Sequence, residues 1–250
     1  IKYFRKFVGS QEFINGESRW CLWLKDISPD ELRTLPEVKK RVENVKQFRL
    51  KSKKAATVKK AETAYLFDEI RHPNSSYLLI PSVSSENRRY VPMDFMPQDV
   101  IASNLVMFIP NASLCHFGVL TSTMHMAWMR AVCGRLEGRY RYSNNIVYNN
   151  YPWPQEPSEA QKKRIETAAQ AVLDARAAYP NSTLADLYDP LAMPKPLLDA
   201  HRALDAAVDA SYRKTPFTSE LERLEYLFGM YKELTKDLFT EGKKKKGKRK

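Results

Sequence analysis

Three charged side chains alternate with two tyrosines in the stretch EGRYRY at residues 137–142. Side chains of an extended strand point to opposite faces in turn, so Glu137, Arg139 and Arg141 are predicted to share one face and the tyrosines the other. In the DNA major groove an arginine donates two hydrogen bonds to guanine, and a glutamate accepts one from cytosine. The stretch therefore has the chemistry to read base pairs. The alternative is a solvated strand whose exposed ion pairs contribute about 0–1 kcal/mol each.

Basic residues concentrate in two segments. Residues 33–60 hold 11 Lys/Arg against two Glu, and residues 243–250 hold seven Lys/Arg and no acid. Since these surpluses exceed the total net charge of +12, the rest of the chain is net acidic. A local surplus indicates contact with a polyanion, although a solvated helix face and a disordered end are alternatives. The predicted phosphate-binding residues are Lys39, Lys40, Arg41, Lys46, Arg49, Lys53 and Lys54.

Several classes of protein fit the sequence poorly. No apolar run approaches the roughly 20 residues of a membrane span, and no signal peptide opens the chain, which favours a cytoplasmic protein. The three cysteines are widely spaced, which is typical of reduced thiols, and the four histidines lack zinc-ligand spacing. The chain begins at Ile1 without an initiator Met, which predicts a fragment of a longer protein.

The N-terminal elements follow from local signals. Asn15-Gly16 between apolar arms predicts a β-hairpin with strands at 11–14 and 18–25. Ser28-Pro29-Asp30-Glu31 has the pattern of a capping box and predicts the start of a helix. The basic segment that follows is predicted to be helical, with an apolar face formed by Val38, Val42, Val45 and Phe48.

The middle and the end of the chain differ in periodicity. Residues 77–122 contain several short β-prone runs, the last of them LCHFGVLTS at 114–122, and predict a sheet. A Met-rich buried helix is predicted for 122–136. Beyond a proline-rich connection, Ser158 and Gln161 cap the first of several amphipathic helices, one of which carries His201 as a predicted core histidine. The predicted fold class is therefore α+β: a mixed β-sheet domain with packed helices, followed by a small all-α helical bundle.

Catalytic motifs do not emerge from this sequence. A methyltransferase would show a Gly-rich cofactor loop and an Asn/Asp-Pro-Pro-aromatic motif. The sequence has eight glycines, none of them in a G-x-G arrangement, and neither feature is present. Pro29-Asp30 with Glu37-Val38-Lys39 fits the letters of a PD-ExK nuclease site. Such a site needs its carboxylates on adjacent strands around Mg²⁺, whereas these residues have helix signals. A metal nuclease remains the weakest alternative.

Several long segments resemble one family in order and spacing. They are FVGSQEFINGESRWCLWL, SYLLIPSVSSENRRYVP, HFGVLTSTMHMAWMRAVCGRLEGRYRYS, VYNNYPWP and LADLYDPLAMPKPLLDAHRALDAAVD. From Phe7 to Thr235 the chain resembles the C-terminal half of the MmeI-type (type IIL) restriction-modification enzymes. These are single polypeptides with a nuclease, a class I adenine-N6 DNA methyltransferase, a target recognition domain and a C-terminal helical domain.

The resemblance implies a domain organisation and its partners. Residues 1–155 would be the DNA target recognition domain, 156–241 the C-terminal helical domain, and 242–250 a basic disordered tail. The implied partners are double-stranded DNA and the upstream methyltransferase domain of the same polypeptide, in a bacterial or archaeal cytoplasm. No cofactor is expected on this segment; S-adenosylmethionine, and Mg²⁺ for any nuclease, would bind upstream.

The resemblance also implies base-reading residues. The family's Glu-x-Arg-Tyr-Arg run falls on Glu137, Arg139 and Arg141, and a second reader pair falls on Asn104 and Leu105. Leu105 cannot hydrogen-bond and would act sterically or against a thymine methyl. A further reader lies in SVSSENRR, where the candidates are Ser84, Glu86 and Arg88. The alternative from a different class is a non-catalytic scaffold whose helical bundle docks a protein partner.

Overall fold

The computed structural model describes residues 2–246, and side chains as far as Lys236. Its strands are β1 (Phe4–Val8), β2 (Trp20–Leu22), β3 (Tyr77–Pro81), β4 (Val83–Ser84), β5 (Asp94–Met96), β6 (Ile101–Ala102), β7 (Val106–Pro110), β8 (Gly134–Leu136) and β9 (Arg139–Arg141). They form three small sheets with the orders β2-β1-β6, β5-β3-β7 and β4-β9-β8. The β1–β6 pair is parallel and the other pairs are antiparallel, so the β-structure is mixed.

Helices connect and follow these sheets. They are α1 (Ser10–Asn15), α2 (Pro29–Arg33), α3 (Pro36–Leu50), α4 (Ala55–Lys59), α5 (Leu114–Leu120), α6 (Thr123–Val132), α7 (Glu159–Ala177), α8 (Leu184–Leu187), α9 (Lys195–Tyr212) and α10 (Glu220–Lys246), with a π-helical turn at Asn144–Tyr148. Small mixed sheets followed by a helical region confirm the predicted α+β class.

The predicted N-terminal hairpin is wrong. Residues 11–14 belong to α1, and Gly16 ends that helix with φ +67° while its N–H bonds to the Glu12 carbonyl. An Asn-Gly pair supplies a left-handed residue equally well to a hairpin turn and to a helix end. The Glu12 carboxylate accepts the Gly9 N–H (2.9 Å) and so fixes the start of the helix. The second predicted strand, 18–25, shortens to β2 and pairs with β1.

Two further boundaries differ from the predictions. The β-prone run at 114–122 forms α5, because Ser113 caps it and the His116 ring nitrogen Nδ1 accepts the Ser113 N–H (3.1 Å). A short apolar run buried on every side fits a strand and a helix equally well. The Met-rich helix α6 ends at Val132, four residues before the predicted end at Leu136, since the chain enters β8 at Gly134.

The basic segment is helical but makes few contacts with the rest of the chain. Ser28 caps α2 by accepting the Glu31 N–H (3.1 Å), as predicted. Helix α3 packs against its neighbours α2 and α4 and has no fully buried residue. Its predicted apolar face is only partly covered, since 77 % of Phe48 is exposed. The helix therefore projects its cations from the body of the protein.

The two predicted domains share one hydrophobic core. Helices α5 and α6 pack against α7, α9 and α10, and one buried cluster continues from Leu78 and Trp128 to Ile165 and Leu204. The α5–α7 contact is close at Gly118, where an added Cβ would lie 2.7 Å from the Ile165 side chain. The C-terminal helices are therefore part of the support for the sheets.

A buried carboxylate joins the two parts. Asp205 of α9 accepts hydrogen bonds from the Tyr90 hydroxyl (2.7 Å), the Thr123 N–H (2.7 Å) and the Thr123 hydroxyl. Burial raises the pKa of Asp205, although all three donors favour the charged form. Tyr90 lies before β5 and Thr123 starts α6, so one carboxylate holds two distant segments.

A second buried network contains His201. Arg176 donates to the Met93 carbonyl (2.6 Å) and to the Tyr188 hydroxyl (2.7 Å), and that hydroxyl meets His201 Nε2 (2.8 Å). The His201 ring also stacks on Tyr90, with 4.0 Å between centroids. Burial, with the nearby arginines, lowers the pKa of His201 well below its ordinary value, so the ring is neutral. His201 is a core histidine, as predicted.

The last helix is less buried than its sequence pattern predicts. Leu227 is fully buried, but 65 % of Leu221 is exposed. Helix α10 runs to Lys246 and so includes the first residues of the segment predicted as a disordered tail, while 247–250 lie outside the described residues.

Two further predictions are that the cysteines are reduced thiols and that no segment spans a membrane. Cys21, Cys115 and Cys133 are free and half-buried, and burial raises the pKa of Cys21 to about 11. Among the described residues, no helix has the length and apolar character needed to cross a bilayer.

The Asp205 contacts predict a large effect on stability. Asp205→Ala removes the acceptor of the buried Tyr90 hydroxyl and of two part-buried Thr123 donors. A buried donor left unsatisfied costs about 1–3 kcal/mol, so the free energy of unfolding is expected to fall by about 2 kcal/mol or more. Chemical denaturation of the purified protein measures this free energy.

The control is Asp199→Ala on the same helix, where the half-exposed carboxylate pairs with Lys195 and Arg202 at the surface; its removal is expected to change stability by less than about 1 kcal/mol. Equal effects of the two variants would contradict the assignment.

Candidate nucleic-acid interface

The EGRYRY stretch forms a turn and a strand. Leu136 pairs with Arg139, so Glu137 and Gly138 form the two-residue turn between β8 and β9. The predicted strand therefore starts at Arg139 and not at Glu137. Beyond the turn the predicted alternation is present, because Arg139 and Arg141 are exposed whereas Tyr140 and Tyr142 are buried.

The buried tyrosines anchor this strand. The Arg135 guanidinium lies 4.0 Å from the Tyr140 ring centroid, a cation–π contact across the β8–β9 pair. The Tyr142 hydroxyl bonds to His125 Nε2 (2.9 Å) on α6. Burial lowers the pKa of His125 to about 3, so the ring stays neutral near pH 7. The exposed arginines Arg139 and Arg141 therefore extend from a strand whose other face is attached to the core by Tyr140 and Tyr142.

Glu137 has a strained backbone. Its φ of +57° is in the left-handed region, which costs a residue with a Cβ about 1–2 kcal/mol. Its carboxylate accepts a hydrogen bond from Arg139 (2.6 Å), but both side chains are exposed and such a pair contributes little. Glycine would avoid the strain. A glutamate kept at such a position is a candidate for a functional role.

Strand β4 brings a second predicted reader segment to the same place. Ser84 pairs with Tyr140, so the residues that follow β4 run beside the Glu137 turn. The Glu86 carboxylate packs against Gly138, where an added Cβ would lie 2.9 Å from Oε1. Glu86, Glu137 and Arg139 therefore form one exposed group, which we call the turn cluster.

The other two candidates in SVSSENRR are placed differently. Ser84 is buried at 4 % exposure, and its hydroxyl has no partner among the described residues. Arg88 is half-buried; burial lowers its pKa, and the charge of Asp189 in the C-terminal part opposes the shift. Because Ser84 is enclosed and Arg88 lies within reach of Asp189, the geometry favours Glu86 as the reader of this segment.

Asn104 and Leu105 form an exposed loop between β6 and β7. Leu105 is 60 % exposed, while its carbonyl accepts the Ser10 hydroxyl (2.7 Å) and the Ser82 N–H (3.4 Å). The Ser82 carbonyl in turn accepts the Tyr142 N–H (2.9 Å). Ser82 thus links the loop to the end of β9. The 104–105 loop therefore lies close to the end of β9, with which β4 also pairs.

A cleft of about 820 Å³ opens beside this loop. Asn104, Leu105 and Asn144 lie on its lining, together with the half-buried rings of Phe7 and Phe67. The sequence did not single out Asn144, because an exposed asparagine has no pattern of its own.

The basic segment divides into exposed and bound cations. Arg49 donates to the carbonyls of Lys60 (2.7 Å), Thr63 (3.1 Å) and Leu66 (2.7 Å), so its guanidinium holds the chain after α4. A guanidinium so occupied has little capacity left for phosphate, and the phosphate-binding role of Arg49 stays a prediction. The other six predicted phosphate-binding residues are exposed: Lys39, Lys40, Arg41, Lys46, Lys53 and Lys54.

The nuclease-like residues lie on helices. Asp30 is in the first turn of α2 and pairs with Arg33, while Glu37 is in the first turn of α3. Within the described part of the chain, no three His, Cys, Asp or Glu side chains are grouped to hold a metal. The arrangement gives the metal-nuclease alternative no support.

Comparison with known proteins agrees with the fold. The family model described as MmeI, target recognition domain, matches residues 1–155, and MmeI, C-terminal domain, matches residues 157–239. The chain belongs to the MmeI family. The family's two C-terminal domains account for nearly all of its length.

Two relatives of known description resemble the chain closely. DNA methyltransferase A of Bacillus subtilis (strain 168) is 43 % identical over 235 residues, which cover 94 % of this chain and 26 % of that protein. A solved structure described as the type IIL restriction-modification enzyme MmeI in complex with DNA is 51 % identical, with a TM-score of 0.91; the match covers 94 % of this chain and 31 % of that one. The chain thus spans about a quarter to a third of these relatives.

The strain at Glu137 predicts an unusual stability result. Glu137→Gly removes the exposed ion pair with Arg139 but relieves the left-handed backbone, so stability is expected to stay the same or rise by up to about 1 kcal/mol. Glu137→Val keeps the strain with a β-branched side chain and is expected to destabilise. Thermal unfolding of both variants measures it. A clear loss of stability in Glu137→Gly would mean that the carboxylate has a structural role.

Proposed function

We propose that this chain is the DNA sequence-reading part of a larger adenine-N6 DNA methyltransferase, with restriction activity in the same polypeptide. Its membership of the MmeI family supports DNA recognition, and its relatives are described as a DNA methyltransferase and as a restriction-modification enzyme bound to DNA. The methyl donor S-adenosylmethionine, and Mg²⁺ for a nuclease, would bind to upstream domains. The observation that carries the proposal is that the three predicted reader segments meet, because β4 pairs with β9 and Ser82 links the 104–105 loop to the end of β9.

The turn cluster supplies the chemistry of one base pair. Arg139 can donate two hydrogen bonds to guanine O6 and N7, and Glu137 can accept from cytosine N4, so together they suit both bases of a C·G pair. In the absence of DNA the two side chains bond to each other at 2.6 Å. Because this pair is exposed, exchanging it for base contacts costs little, whereas a wrong base leaves a desolvated charge unpaired.

The remaining readers extend the contact. Arg141 lies two residues further along the same face of β9. Asn104 offers an amide suited to adenine, and Leu105 offers an apolar contact for a thymine methyl. Glu86 packs beside Gly138 and either reads a cytosine or orients the turn.

Affinity would come from the exposed cations of the basic segment. Lys39, Lys40, Arg41 and Lys46 project from α3, and Lys53 and Lys54 follow it. Phosphate contacts orient a protein on the duplex and carry no sequence information. Helix α3 would therefore grip the backbone while the turn cluster and the 104–105 loop read the groove.

A charge reversal in the turn cluster tests base reading. Glu137→Lys with Arg139→Asp exchanges donor for acceptor, so one position of the recognised sequence is expected to change and the others to persist. The measurement is genome-wide mapping of N6-methyladenine in a methylation-free host that expresses the full-length protein, together with binding-site selection from random duplexes.

The control reverses an ion pair in the same way at a site away from the predicted readers. Lys162→Glu with Glu159→Lys reverses an exposed ion pair on α7 and is expected to leave the motif unchanged. An unchanged motif in the Glu137/Arg139 variant would refute reading by this strand. Loss of all binding with normal folding would assign the pair to general DNA affinity.

The helix α3 cations predict a salt effect. Lys39→Gln, Lys40→Gln and Arg41→Gln together are expected to weaken binding to all sequences equally. They should also lower the slope of log affinity against log salt by about 0.9 for each phosphate that the helix no longer neutralises. Titrations of specific and random duplexes at several salt concentrations measure both quantities. An unchanged slope would remove α3 from the interface.

The matched control for α3 is Arg49→Gln. Because its guanidinium bonds to three carbonyls, this variant is expected to lower stability and to leave the salt slope nearly unchanged. The opposite result would restore Arg49 as a phosphate-binding residue.

A scaffold that docks a protein through its helices is the competing function. The exposed Leu221 and Leu234 on α10 favour it, since large apolar side chains at the surface often mark contacts. The scaffold hypothesis predicts no sequence preference in binding-site selection, so the same experiment separates the two.

A further inference from the structure

Asn144 lies beside the proposed readers although neither the sequence motifs nor the family comparison single it out. It begins the π-helical turn two residues after Tyr142 and lines the same cleft as Asn104 and Leu105. Its side chain is exposed. Its location follows from Ser82, which bonds to the Tyr142 N–H and meets the Leu105 carbonyl.

The backbone at Asn144 is well held. Its carbonyl accepts the Asn149 N–H (2.8 Å), and Ser143 caps the turn by accepting the Ile146 N–H (3.3 Å). Within the same segment the Trp128 indole donates to the Val147 carbonyl (3.0 Å) and fixes the turn to α6. An exposed side chain on such a support loses little conformational entropy on binding.

A local hydrogen bond orients the Asn144 amide. Its Oδ1 accepts the Asn145 N–H (3.0 Å), so the oxygen faces its own backbone. The Nδ2 amino group has no hydrogen-bond partner among the described residues. Towards a ligand Asn144 therefore presents its free amino group, while one lone pair of its oxygen is already engaged by the backbone.

We propose that Asn144 is a further specificity-determining residue that donates to an acceptor on a base edge. The inference rests on the proposed function and extends its reading surface. Purine N7, guanine O6 and thymine O4 are acceptors in the major groove, whereas cytosine presents only its N4 amino donor there. The position that faces Asn144 would accept a purine or thymine and reject cytosine.

This chemistry can be inverted with one substitution. Asn144→Asp keeps the shape and one oxygen for the Asn145 N–H, and it replaces the free amino group with a second acceptor. Cytosine is then the favoured base, because its N4 donates to a carboxylate. Asn144→Ala removes the contact and is expected to broaden the preference at that position.

The test is binding-site selection with the full-length protein on duplexes randomised across the recognition sequence. We expect Asn144→Asp to raise the cytosine preference at one position by about tenfold or more, within the range for a bidentate or charged base contact. Asn145→Asp is the matched control, because the neighbouring asparagine is also exposed but does not line the cleft. It is expected to leave every position unchanged.

The outcomes separate this inference from the proposed function. An unchanged preference in both Asn144 variants overturns it. A uniform loss of affinity with a flattened salt dependence assigns Asn144 to phosphate and also overturns it. If Asn144→Asp abolishes binding, Asn144→Ala decides: a preference broadened at one position supports the proposal, and an unchanged one refutes it. The Glu137/Arg139 reversal in the same selection shows whether the surface reads bases at all.

Discussion

The Asp205 carboxylate is the contact on which the arrangement of this chain depends. From the centre of α9 it holds the Tyr90 hydroxyl and both hydrogen-bonding groups of Thr123. Tyr90 ends the segment that carries Glu86, and Thr123 begins the helix that leads into β8 and the Glu137 turn. A single buried carboxylate thus holds both the segment that follows β4 and the helix that leads into β8, and these two strands flank β9 in one sheet. Since its donors would be left unsatisfied without it, this contact resists rearrangement.

Along β9, buried side chains that attach the strand to the core alternate with exposed side chains. Tyr140 and Tyr142 are buried and attach β9 to the core, whereas Arg139 and Arg141 between and beside them point outwards. Replacing one of the exposed side chains alters the fold little, because surface substitutions usually change stability by less than about 0.5 kcal/mol.

The proposed function would draw affinity and specificity from different parts of the chain. Helix α3 contacts α2 and α4 and exposes its cations, whereas the strand that carries Arg139 and Arg141 is joined to α6 through Tyr142 and His125. Large apolar side chains are exposed on both α3 and α10, such as Phe48 and Leu221, and side chains of this kind often mark contact surfaces.

The sequence by itself determined the α+β class, the capped helices at Ser28 and Ser158, and the in–out alternation along β9, because each depends on neighbours within a few residues. Family resemblance predicted the reader segments. Only the tertiary structure decided which side chains are available. In the fold Ser84 is buried, and the Arg49 guanidinium donates to three carbonyls. Asn15-Gly16 ends a helix, and Glu137 lies in a strained turn. These outcomes depend on contacts between residues far apart in the chain, such as Ser82 with Leu105 and Tyr142, and local patterns carry no information about such contacts.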